Sequence, residues 1–183
     1  MSAQGNMKSQ DIFILLKLVS LESQASGMDS DCYSVRNLSA SLGVSKTEVS
    51  ASINRSIYAG LAVRDRSHNF PKANRTGLLE FIIHGLKYVF PVKPAEICRG
   101  TTTAFSAPVF ANQLASAGEI LLVWPDPHGA EKGQSITPLF KTVPDAARQD
   151  ALLYELLALA DAIRLGNPRE LKLAIQLLEA RMI

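Results

Sequence analysis

Residues 38–61 read LSASLGVSKTEVSASINRSIYAGL, two short helical patterns that meet at Gly43. Val35, Leu38 and Leu42 share one face of a helix over Val35–Leu42, and Ser34 can cap its free amides. Gly43 ends that helix, because glycine enters the left-handed conformation of a helix C-terminus at little steric cost. A second helix opens on SKTE, Ser45 to Glu48, spaced as a capping box in which the serine accepts from one amide and the glutamate returns to another. Val49, Ile53 and Ile57 give it an apolar stripe. It stops near Gly60, after which LAVRDR alternates like a short strand.

That stripe dictates which side faces out. Counting about 100° per residue from Val49 puts Thr47, Ala51, Asn54, Arg55 and Tyr58 near the centre of the outward face, with Ser50 toward its edge. Short polar side chains let a helix backbone approach the floor of the DNA major groove. Arg55 suits guanine and Asn54 suits adenine, each bidentately, while Ser45, Lys46, Thr47 and Ser50 sit where phosphate or base contacts are both open. Arg64, Arg66 and Lys72 follow as cations suited to phosphates beside the groove. The net charge of the 183 residues is only +2, but Ser34 to Arg75 carries seven Lys/Arg against Glu48 and Asp65, so a polyanion should meet that segment.

With 47% hydrophobic residues, the chain can bury a substantial core. A first helix is expected over Lys8–Leu21. The run IFILLKLVSL is short and interrupted by Lys17, unlike a signal peptide or a membrane span. SQASGMDSD is a loop by composition, and a further helix fits Arg75–Tyr88 with His84 as a core or interface residue. Most of the nine prolines fall between Pro91 and Pro144, which forbids long helices there. Within that region GEILLVWPD and GQSITPLF read as short strands or extended segments. Helices return over Ala146–Leu165 and Asn167–Ile183; such leucine-dense helices can complete the monomer's own core, while their near all-round apolar character favours at least some burial between subunits.

Cys32 and Cys98 are far apart and lack the CxxC or His spacing of a zinc site, which points to a reducing cytoplasm without disulfides, metal or cofactor. His68 and His128 fall in loops with no ligand partner at suitable spacing. Cys98 in ICRGTTTAFS has no evident base, so RGTTTAF reads better as a Gly-turned loop or an anion-contacting nest than as the surroundings of a nucleophile.

Leu38, Leu42, Gly43, Val44, Ser45, Val49, Ile53 and Gly60 to Leu61 stand where MarR-like bacterial regulators carry a positioning helix, an LGVS turn and a recognition helix ending in AGL. Tyr33 to about Arg66 therefore resembles their winged helix-turn-helix module. The chain departs from the family in two ways: no second wing strand is evident before Arg75, and the proline-rich middle is foreign to it.

The expectation is a mainly α protein. Residues 1–90 would form a winged helix-turn-helix DNA-binding domain, and 91–183 an α-rich extension with a proline-rich irregular middle. The function expected is that of a cytoplasmic, homodimeric, sequence-specific binder of double-stranded DNA that represses transcription and is not an enzyme. Its recognition helix would span 46–58. The alternative is an antitoxin-like or adaptor protein whose residues 91–183 bind a protein partner, with DNA binding only autoregulatory.

Overall fold

The computed structural model describes residues 6–24, 30–67, 69–111 and 120–183. The loop expected around 25–29 and His68 lie outside them. The chain is mainly helical, with two small sheets. α1 (Ser9–Ser23) is followed by a 3-10 turn at Ser30–Tyr33, α2 (Val35–Leu42) and α3 (Lys46–Tyr58). Strands β1 (Ala62–Arg64) and β2 (Pro71–Ala73) then pair antiparallel, with Val63 opposite Lys72. β2 is the second strand that the sequence did not reveal. Three residues ending on the Asn74 cap of α4 are too few for an alternating pattern, and the pairing is made by backbone groups.

The helix expected over Arg75–Tyr88 divides at Gly85 into α4 (Arg75–His84) and α5 (Leu86–Val89), and His84 is exposed rather than in the core. The proline-rich middle is ordered as a sheet. β3 (Ile97–Thr102) lies antiparallel to both β4 (Leu122–Pro125) and β5 (Glu131–Ser135), and β4 and β5 close the set by pairing parallel. RGTTTAF is thus largely strand, not a Gly-turned loop. Gly100 makes that strand possible, since a Cβ there would lie 1.9 Å from the Trp124 carbonyl oxygen.

The helix expected over Ala146–Leu165 is likewise two, α6 (Val143–Gln149) and α7 (Ala151–Leu165), broken where extended Asp150 caps the Leu153 amide. α8 (Pro168–Met182) closes the chain after a left-handed Gly166. α7 is apolar nearly all round because its own chain covers it: it packs on α1, α4, α5, α6 and α8. That burial is intramolecular. One hydrophobic cluster includes Leu16 and Val49 as well as Trp124, Leu156 and Leu178.

Polar groups inside this cluster tie the elements in place. Asp161 on α7 accepts from Trp124 Nε1 at 2.6 Å and Thr103 Oγ1 at 3.0 Å, and pairs with Arg164 at 2.6 Å. Arg164 in turn donates to the carbonyls of Phe90 and Thr137, so α7 holds both ends of the proline-rich middle. Asp150 reaches α1, where it pairs with Lys17 at 2.8 Å and accepts from Ser20 at 2.8 Å. Burial alone would raise the Asp150 carboxyl, yet the Lys17 ammonium, the Leu153 amide and the Ser20 hydroxyl outweigh it and hold it below the usual carboxylate range. A carboxyl depressed in the folded state contributes stability that is fully present above the unfolded value of about 3.9 and is lost as pH falls through the folded one. Urea unfolding from pH 6 down to about pH 2 should therefore show a shallower acid loss for Asp150→Asn than for the parent chain.

Candidate functional site

The α2–α3 turn is built much as its residues direct. Ser34 accepts from the Asn37 amide at 3.2 Å, Gly43 is left-handed with φ 64°, and Ser45 accepts from the Glu48 amide at 3.3 Å. The C-terminal half then pins the turn: Thr142 donates to the Leu42 carbonyl at 2.6 Å, and its methyl would stand 3.0 Å from any Cβ at position 43. The glutamate half of the expected capping box goes elsewhere. Glu48 accepts from Gln10 Nε2 and pairs with Lys8 at 3.4 Å, both at the start of α1.

The covered stripe of α3 is Val49, Ser52, Ile53 and Ser56, the pattern i, i+3, i+4, i+7, while Ile57 is only half-buried. Two serines take buried positions on a helix that packs against α1, α2 and β1, where small side chains admit a close approach. The outward face is consequently rotated by about 50° from the one expected, toward Ser50 and away from Arg55. Lys46, Thr47, Ser50, Asn54 and Tyr58 are exposed on it, Ser45 is exposed at its head, and Ala51 is half-buried.

Arg55 is not part of that face. Its Nε donates to Asp11 Oδ2 at 3.0 Å and its Nη2 to Oδ1 at 2.7 Å, with the Arg55 side chain 11% exposed and that of Asp11 0%. The hydrogen bonds to Asp11, working against burial, raise the guanidinium pKa further above its already high value. Asp11 also accepts from the Lys8 amide, so one carboxylate caps α1 and holds α3. A bidentate partner on α1 replaces the guanine expected for Arg55. The sequence signal was an acidic residue in the first turn of an otherwise apolar helix.

The β1–β2 hairpin stands after α3. The turn at its tip is tightened by Asp65, which accepts from the Ser67 amide at 3.0 Å, and Asn69 is left-handed at φ 57°. Phe70 stacks on Tyr33, ring centroids 4.4 Å apart, which joins the hairpin to the head of α2. Lys72 is half-buried, pairing with Asp65 at 3.1 Å and lying over the Phe70 ring at 5.4 Å, so its ammonium is engaged within the hairpin. Arg75 is also held internally, by Glu22 at 3.3 Å and by Ser23 and the Val19 carbonyl. Arg36, Lys46, Arg64 and Arg66 are exposed and make no ion pair among the described residues. Arg36, on α2, extends this exposed set beyond the cations expected to meet phosphates.

Cys98 is half-buried on β3 opposite Gly133. Among the described residues no group of three His, Cys, Asp or Glu side chains could hold a metal ion, and no helix is long and apolar enough to cross a membrane.

Ser52 and Arg55 make opposite predictions for stability. The Ser52 hydroxyl is buried without a hydrogen-bond partner, so Ser52→Ala should stabilise the chain by about 1 kcal/mol in chemical denaturation. Arg55→Ala strands a buried carboxylate and should cost about 3 kcal/mol, whereas Asn54→Ala, one residue earlier but in solvent, should fall within about 0.5 kcal/mol of the parent.

Comparison of the chain with family models, with characterised proteins and with solved structures yields no match. The site therefore rests on its own geometry.

Proposed function

We propose that this chain is a sequence-specific double-stranded DNA-binding protein, a cytoplasmic transcriptional repressor rather than an enzyme, in which α2, α3 and the β1–β2 hairpin act as a winged helix-turn-helix resembling the MarR-like module. α3 enters the major groove and the hairpin is the wing. The observation that carries this reading is the exposed α3 face of Lys46, Thr47, Ser50 and Asn54, free of acidic side chains and followed by the exposed Arg64 and Arg66. A solvated helix of ordinary kind mixes Glu with Lys; here Glu48 is drawn to α1 and leaves the face uncharged beyond Lys46.

Within this reading, side chains divide by task. Lys46, Arg64 and Arg66, joined by Arg36, contact phosphates and supply affinity that does not depend on sequence. Ser45, Thr47, Ser50 and Asn54 face the bases. Lys72 stiffens the wing through Asp65 and Phe70. A two-fold homodimer is part of the proposal on the ground that one short helix reads too few base pairs for a unique site, and paired half-sites solve that.

Electrophoretic mobility at low salt tests the reading with random duplex fragments and the intact chain. The parent should retard them, and Lys46→Glu and Arg66→Glu should each weaken binding to every sequence while reducing the slope of log affinity against log salt by about 1. Absence of retardation for every fragment, with the chain folded, would overturn the proposal.

A further inference from the structure

The commitment of Arg55 to Asp11 constrains which bases α3 can read. Guanine offers two acceptors on its major-groove edge, and a guanidinium is the side chain that matches them best. Arg55 is the one arginine of α3, and both of its bonding edges used here face the buried Asp11 carboxylate. Lys46, the other cation, is the first residue of the helix and lies about 110° around from the centre of the exposed face, toward flanking backbone.

What remains near the centre of the face is the exposed Thr47, Asn54 and Tyr58, with Ser50 beside them and the half-buried Ala51 between Thr47 and Asn54. An asparagine amide pairs with adenine N6 and N7, donating to N7 and accepting from N6. The methyls of threonine and alanine pack against the thymine C5 methyl. Thr47, Ala51 and Asn54 are four and three residues apart, so they form one continuous row along α3.

Resting on the DNA-binding reading above, we infer that α3 reads a short A·T half-site, with the Asn54 amide on an adenine and the Thr47 and Ala51 methyls on neighbouring thymines, and that guanine makes no direct contact with the helix. Asp11 is the positioning residue that enforces this choice, because it removes the guanidinium that would otherwise seek guanine.

The test uses duplexes recovered by selection from a random pool, resynthesised with single-atom changes and titrated with the full chain by fluorescence anisotropy at fixed salt. Replacing a half-site adenine by 7-deazaadenine should weaken binding on the order of tenfold, and replacing adjacent thymines by uracil should weaken it several-fold. Substituting 7-deazaguanine anywhere should leave affinity unchanged. Asn54→Ala should bind the parent duplex on the order of tenfold more weakly and lose its sensitivity to 7-deazaadenine, while keeping the salt slope of the parent. A recovered core of G·C pairs whose affinity drops with 7-deazaguanine overturns the inference and leaves DNA binding intact. Failure to recover or retard any duplex overturns both, so the two failures are told apart.

Discussion

The pairing of Asp11 with Arg55 is the constraint on which the arrangement of the α3 surface depends. A carboxylate with no exposed surface is tolerable in an apolar helix only when its oxygens are fully engaged, and here the Arg55 guanidinium and the Lys8 amide engage them. The same two bonds fix the rotation of α3 about its own axis, since an arginine held bidentately in a plane leaves little angular freedom. Ser52 and Ser56 are then buried, and Thr47, Ser50 and Asn54 face water.

α1 is tied to other elements in the same way. Its middle meets α7 through Lys17, Ser20 and Asp150, and its end meets the hairpin and α4 through Glu22, which accepts from the Ala73 amide and pairs with Arg75. A helix buried over most of its length thus carries, along one chain segment, the contacts that orient α3, α4, α7 and the hairpin. Of the seven cations between Ser34 and Arg75, Arg55, Lys72 and Arg75 serve such internal contacts. The remaining four project outward, so the local charge excess survives folding as a smaller but fully exposed set.

The α2–α3 unit was legible because its signals are local: a serine at each N-cap, a glycine between, and apolar residues at helical spacing. Those boundaries match the structure for α2 to the residue. The orientation of α3 was less legible. Apolar residues alone misplaced its buried arc, since nothing near Ser52 or Ser56 in sequence announces their burial. Arg55 looked free for the same reason, its partner being 44 residues away. β4 lies within GEILLVWPD, one of the two stretches that read as strand or extended segment, but β3 and the closed pairing were not legible, because the strands are short, rich in Gly, Thr and Pro, and stabilised by pairing across 12 to 37 residues. The breaks at Gly85 and Asp150 were hidden by uninterrupted apolar periodicity, and Asp150 breaks its helix to satisfy a cap and a lysine on α1.

The most direct test of this account is the side-chain NMR of Arg55 and Asn54 in the intact chain as duplex DNA is added. The account predicts a slowly exchanging Arg55 Nε–H, held by Asp11, whose resonance is the same free and bound, while the Asn54 amide protons shift on binding. An Arg55 Nε–H that exchanges freely, or that moves on DNA binding while Asn54 stays unchanged, would contradict it.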